Sequence, residues 1–409
     1  MEQTVIMVPE SSTGRADWRS FGLCFMAYLL GGTVSTLLSV FLPVILPEFG
    51  ADASSGALLN AAFIYGWVLG GLGFGLLADR LGRVRAITLA TVLVGLFTLA
   101  SVWATSWPML AGFRFMAGMG VGGVLVVTTI YLSEIWPEQG RPVVLGLLAM
   151  SFPVGIVLAG SLNLLVTQWR QAFYLGLLPL ALTLLMAALL PESTHWQTAR
   201  RTGITGTQSI WQPQYRTSLV QGSLIFSAVL VGLWAIFSWT PSWVQTLFTH
   251  EADARQARGL TMMLFGLGGI VGGAVSGLLV NRLGMRPTLL STFAGCLLGC
   301  WLLFDTNQIF SPVVYAETAL LALCFGISQG TLSSFVPLLF PVAIRATATG
   351  FCFNVGRVLT ATGVFFVGSL VAVFGGLGNT LLFFSLTFAL AFVATWFSRR
   401  TTSGIDYQS

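Results

Sequence analysis

Apolar residues run along this chain in long blocks, and polar residues gather in short breaks between them. Blocks near or above the roughly 20 residues that cross a bilayer as a helix predict membrane spans. Twelve are expected, at 21–45, 56–78, 86–105, 108–131, 142–166, 171–190, 218–247, 258–280, 287–304, 312–339, 346–373 and 377–397. The longest polar break, 200–216, holds Gly203, Thr205, Gly206, Gln208, Gln212, Pro213 and Gln214, and it divides the spans six and six. The expected organisation is a tail over 1–20, a six-helix bundle over 21–190, a linker over 191–217, a second bundle over 218–397 and a tail over 398–409. Residues 1–19 carry acids and two arginines but no apolar segment, so the first span reads as part of the membrane domain rather than as a cleaved leader.

The pattern repeats. GLLADRLGRVR at 75–85 is echoed 202 positions later by GLLVNRLGMRP at 277–287. Phe63, Gly66, Gly70, Gly71 and Gly75 match Phe265, Gly268, Gly272, Gly273 and Gly277 at that offset, while Pro137, Arg141 and Gly146 match Pro341, Arg345 and Gly350 at an offset of 204. The fold class read from this is an all-α integral membrane protein of two pseudo-symmetric six-helix bundles, a design in which binding sites lie near the midplane between halves. Glycines at near four-residue spacing let helices approach closely. Packing accounts for the glycines, but not for the charged end of the motif.

Composition agrees with the pattern. Charged residues are 8% and hydrophobic residues 55% of the 409, against roughly 25% charged in soluble domains, and mean hydropathy is +0.85. All 19 basic residues are arginine; sorted by the expected spans, 14 fall on one side, Arg170, Arg255 and Arg258 on the other, and Arg114 and Arg357 within spans. Such scattering excludes a nucleic-acid surface, and the positive-inside rule places both termini in the cytoplasm. The five cysteines all lie in apolar spans without CxxC spacing and read as core packing. His195 and His250 stand in loops with no partner at metal-ligand spacing, so no metal or cofactor is expected. No nucleophile–base pair or phosphate-cradling loop points to an enzyme.

Ionisable residues inside a membrane are functional candidates by default. Arg357 stands near mid-depth of the eleventh span, where a guanidinium can hold a carboxylate bidentately or pair with helix-end carbonyls. Asn354, three residues earlier, shares its helix face. Arg114, about two turns into the fourth span, is expected to act in coupling or structure, and Glu317 in the tenth span is a proton-carrier candidate, ahead of Asp305. Glu134 is expected to pair with an inner-face arginine such as Arg141 or Arg345 as part of a gate. Asp79, Arg80 and Arg83, with Asn281 and Arg282 in the second copy, form a candidate asymmetric latch, the alternative being a topological anchor. Uncharged cavity candidates are Tyr28, Thr33, Ser35 and Thr36 in the first span, Trp234, Ser238 and Trp239 in the seventh, and Gln329 in the tenth.

At this point the chain resembles the major facilitator superfamily. Gly75-x3-Asp79-Arg80-x-Gly82-Arg83-x-Arg85 is similar to the family's signature between its second and third helices, and Arg114-x3-Gly118-x-Gly120-x-Gly122 to that of its fourth. Tyr131-x2-Glu134-x2-Pro137-x3-Arg141, Trp169-Arg170-x2-Phe173 and Pro191-Glu192-Ser193-x2-Trp196 resemble the pattern shared by sugar porters and bacterial metabolite:proton symporters. Phe237-Ser238-Trp239-Thr240-Pro241 and Asn354-x-Gly356-Arg357 resemble the second group, which includes aromatic-acid carriers. Where those carriers place aspartates in the first helix, this chain has Leu30-Gly31-Gly32-Thr33-Val34-Ser35-Thr36. The resemblance implies a monomeric secondary transporter of the bacterial inner membrane, moving a small organic anion by alternating access with proton symport; the scarcity of acids leaves uniport open. Alternatives are a carrier of a neutral sugar or polyol, a drug transporter, or a nontransporting membrane sensor.

Overall fold

A computed structural model describes residues 17–202, 210–341 and 344–397. The first half contains α1 (Trp18–Glu48), α2 (Ala53–Leu81), α3 (Arg83–Trp103, ending in a 3-10 turn), α4 (Trp107–Ile135), α5 (Arg141–Leu165) and α6 (Trp169–Leu189). A short linker helix, Thr194–Thr202, follows. The second half contains α7 (Arg216–Thr246), α8 (Glu251–Leu283), α9 (Met285–Asp305), α10 (Val313–Leu338), α11 (Arg345–Val373) and α12 (Leu377–Trp396). These are the twelve helices, among the described residues, long and apolar enough to cross a membrane.

The helices overrun the apolar blocks because polar residues serve their ends. Asp52 caps α2 by accepting from the Ser55 N–H at 2.8 Å. The overrun is largest at α8, which starts at Glu251 rather than near 258. Arg258 is therefore not a loop residue: it is fully buried in α8, bonded to Glu251 about two turns earlier on the same helix and to Gln245 of α7.

The two halves pack alike. Within each, the second helix lies along the fourth and the first along the fifth, so α2–α4 and α1–α5 correspond to α8–α10 and α7–α11. The repeated Arg-Leu-Gly is where the chain turns from α2 to α3 and from α8 to α9. Gly82 and Gly284 adopt φ of 105° and 87°, conformations that any side chain would strain. The glycine run on α2 brings its backbone directly onto α4: a Cβ on Gly70 would stand 1.9 Å from the Met119 carbonyl oxygen.

The halves meet along two symmetric seams, α2–α11 and α5–α8. On the face opposite the chain termini both seams are shut. Asn163 of α5 donates to the Arg255 carbonyl of α8 at 2.8 Å, a Cβ on Gly160 would lie 2.7 Å from the Gly259 oxygen, and one on Gly368 would lie 2.3 Å from the Ala53 oxygen. At mid-depth the Tyr65 hydroxyl bonds Thr362 at 2.8 Å. Towards the termini face the contacts end: Gly146, Gly273, Gly277 and Gly350 would each accept a Cβ with nothing within 4 Å. A cleft of about 640 Å³, lined by Val68, Leu72, Asn354 and Val358 among others, opens there between α2 and α11.

Candidate functional site

Close packing of α2 on α4 orients Trp67. Its carbonyl faces Gly122, where a Cβ would come within 2.1 Å, so α2 presents its opposite side to the second half. There the Trp67 ring meets Trp234 of α7 edge-on at 5.5 Å and Phe152 of α5 at 5.8 Å. Tyr28 of α1 adds an edge contact to Phe152 at 6.4 Å, and Trp234 continues to Phe237 at 5.4 Å. Arg357 of α11 places its guanidinium carbon 5.8 Å from the centre of the Trp67 ring. Tyr28 lies within electrostatic reach of the same guanidinium.

All of these residues stand near the middles of their helices, and they come from both halves. Arg357, twelve residues into α11, is about 18 Å from that helix's start at 1.5 Å per residue, close to the centre of a bilayer core of roughly 30 Å. It has no hydrogen-bond or ion-pair partner among the described residues. The Trp67 indole N–H is likewise buried without an acceptor. An aromatic box, a free guanidinium and a spare donor at the seam of two halves suit a flat ring bearing a carboxylate: rings pack edge or offset, and arginine grips a carboxylate with two parallel hydrogen bonds.

The other sequence-selected residues distribute as follows. Asn354 lines the cleft one turn from Arg357 and donates to the Gly350 carbonyl of its own helix. Thr33, Ser35 and Thr36 are buried, with hydroxyls bonded to α1 carbonyls four residues back. Ser238 is buried in α7. Trp239, also fully buried, packs at the outer seam, where its ring would lie 3.4 Å from a Cβ on Gly56; its indole N–H has no acceptor. Gln329 keeps a buried amide nitrogen without a partner. Trp67 and Phe152 escaped the sequence reading, since an aromatic in an apolar helix carries no mark of whether it faces lipid, core or cavity. The available signal was the glycine run around Trp67, which fixes the side of α2 that packs.

Arg114 is 0% exposed. It donates to the Val34 carbonyl of α1 at 2.9 Å and lies 4.3 Å over Phe63 and 5.9 Å from Phe173, leaving two guanidinium nitrogens without partners. Glu317 stands one turn into α10 and accepts from Asn307 at 2.6 Å; Asp305 ends α9.

At the termini face Glu134 pairs with Arg83, at 2.8 Å, and not with Arg141 or Arg345. Arg83 opens α3 beside the end of α4, whereas Arg141 and Arg345 turn back to the Trp136 and Phe340 carbonyls. Arg83 also holds Asp79 at 2.6 Å, and Glu192 accepts the Arg83 backbone N–H at 2.9 Å. The Trp196 indole donates to the Asp79 carbonyl. In this conformation the patch is tied within the first half, and the Asp79 side chain is 68% exposed. Arg80, Asn281 and Arg282 are exposed, and the second copy has Met285 in the place of Arg83.

The Major Facilitator Superfamily profile matches residues 24–363, most of the chain. The chain belongs to the major facilitator superfamily. It is 28% identical over 381 residues to a probable 4-methylmuconolactone transporter of Cupriavidus pinatubonensis, covering 90% of this chain and 87% of that one. It is 27% identical to the 4-hydroxybenzoate transporter PcaK of Pseudomonas aeruginosa, covering 83% of each. Among solved structures, the inward open conformation of the xylose transporter XylE from E. coli superposes with a TM-score of 0.80 at 17% identity, over 95% of this chain and 97% of that one; this likeness concerns the fold.

Proposed function

We propose that the protein is a secondary transporter of organic anions, aromatic carboxylates in particular, which it carries across the bacterial inner membrane by alternating access. The observation that carries this reading is Arg357, unpaired at mid-membrane beside Trp67 in an aromatic box built from both halves. Relatives described as carriers of 4-hydroxybenzoate and 4-methylmuconolactone support it. With the arginine-rich termini face in the cytoplasm, the conformation is inward-open: the outer seams are shut and the cleft faces the cell. In this reading the Arg83 cluster belongs to the inner gate, and Asp79, paired within its own half while the inner side stands open, exchanges that partner for one in the second half when it closes.

A thermal-shift series on the purified protein tests the assignment. A ligand of the folded state at 100 times its Kd stabilises it by about 2.7 kcal/mol. 4-Hydroxybenzoate and related carboxylates are expected to raise Tm, whereas their methyl esters and a set of sugars and polyols are not. A shift with a sugar and with no carboxylate would overturn the anion assignment.

A further inference from the structure

We propose that this carrier works as an anion exchanger, taking up one carboxylate as it releases another, and not as a proton symporter; the inference rests on the anion reading of the Arg357 site. It starts from where the chain keeps its acids. Of the 14 in the sequence, those within the membrane helices stand at or near helix ends. Glu317, one turn into α10, is the deepest and is bonded to Asn307; Glu134, at the end of α4, is bound to Arg83; Glu48 closes α1 and Glu251 opens α8, each paired with an arginine. Among the described residues, no carboxylate reaches the level of Arg357 or of Arg114.

The two guanidinium groups inside the spans differ in what surrounds them: Arg114 is fully buried and Arg357 only partly. Arg114 is clamped between Phe63 and Phe173 and bonded to the Val34 carbonyl, where the resemblance leads one to expect an acid in the first helix. Its charge is fixed in place whether or not substrate is present. Arg357 faces the seam that must open and close. Among the elements packed on α11, the ionisable groups near its level are Tyr28 of α1, Tyr65 of α2, bonded to Thr362, and Cys324 of α10, whose free thiol lies against that of Cys296. α7 and α12 bring none between their ends. Phenols and thiols, with ordinary pKa values of about 10 and 8.5, keep their protons at pH 7 and supply no negative charge.

To pass from inward-open to outward-open the carrier must seal both seams over the box. With a carboxylate on Arg357, the sealed site holds a neutral pair. Empty, it holds a guanidinium withdrawn from water with only the Trp67 ring against it, which is costly and which no carboxylate among the described residues offsets at that depth. The empty carrier therefore stays open, where water solvates Arg357, and it returns only with another anion. Proton symport through this site would need a neighbouring acid to take over the arginine when substrate leaves and to carry the proton; among the described residues none stands there. Exchange of equal charges moves no net charge and no proton.

The test uses the full chain in liposomes with the voltage clamped and labelled 4-hydroxybenzoate outside at pH 7.5, after subtraction of protein-free vesicles. Vesicles loaded with unlabelled 4-hydroxybenzoate are expected to take up label about a hundred-fold faster than buffer-filled vesicles, the penalty of a central unpaired arginine on insertion scales. An inward proton gradient is expected to leave the buffer-filled rate unchanged. In Asn354→Asp, a carboxylate three residues from Arg357 on the same face gives the empty carrier its own counter-charge, and the ratio falls towards one. Accumulation driven by the proton gradient into buffer-filled vesicles at the exchange rate, or an unchanged ratio in Asn354→Asp, overturns exchange. Failure of 4-hydroxybenzoate to quench tryptophan fluorescence at any concentration removes instead the reading of the site on which exchange rests.

Discussion

Gly160→Ala is expected to push the transporter towards its outward-open form. In the outer seam a Cβ at this position would stand 2.7 Å from the Gly259 carbonyl oxygen and 2.9 Å from the Met263 nitrogen, both backbone atoms that cannot rotate aside. Overpacking of this kind costs about 1–3 kcal/mol. The cost falls only on the state in which α5 and α8 touch, since separating them on the outer side leaves the methyl free. The outward-open to inward-open ratio should therefore rise about five- to 150-fold, at roughly 1.4 kcal/mol per factor of ten. The readout is a cysteine at Leu42, which is fully buried and lies beside Gly56 and Trp239 at the outer seam. Its labelling by a membrane-impermeant maleimide added to the outer side follows the outward-open population. Gly146→Ala, on the same helix but with nothing within 4 Å of its Cβ in this conformation, is the control and should not raise the labelling. Equal labelling in Gly160→Ala and Gly146→Ala would refute the argument that the outer seam is a closed gate.

Two further outcomes follow from the packing. Trp67→Leu removes the ring that stacks under Arg357 and meets Trp234 and Phe152; with about 0.5–1.5 kcal/mol per aromatic pair, affinity for aromatic carboxylates should drop about ten-fold while that for aliphatic ones changes little, as measured by fluorescence titration. Arg83→Met, which writes the second half's Met285 into the first, leaves the half-buried Glu134 unpaired and should cost about 1–3 kcal/mol, seen as a lower Tm, whereas Asp79→Asn, at an exposed side chain, should move Tm far less.

Much of the fold was legible in the hydrophobic pattern, because twelve blocks of bilayer length leave a helix as the only economical way to satisfy the backbone. The repeated Arg-Leu-Gly announced the two turns, and Gly82 and Gly284 carry the left-handed conformations those turns need. Helix ends were less legible: α8 begins in a polar stretch that reads as loop until Arg258 is seen buried against Glu251 and Gln245. Of the site, Arg357 stood out because a charge in an apolar block is rare, and Tyr28 and Trp234 were among the aromatics that suit a cavity wall. Trp67 and Phe152 did not, since only the close packing of α2 on α4 decides which way Trp67 points. Glu134 does pair with an inner-face arginine, but with Arg83 rather than Arg141 or Arg345, because only the meeting of α3 with α4 selects among them.

The central claim is that Arg357 anchors a carboxylate between the halves. The direct measurement is binding of 4-hydroxybenzoate and of 4-hydroxybenzamide to the unmodified protein and to Arg357→Gln, read by tryptophan fluorescence in detergent. A charge-assisted hydrogen bond contributes about 1.5–3 kcal/mol, so the carboxylate should bind Arg357→Gln about ten- to 150-fold more weakly, while the weaker amide binding changes little. Equal losses for acid and amide, or none for the acid in a variant that keeps its Tm, would contradict the account.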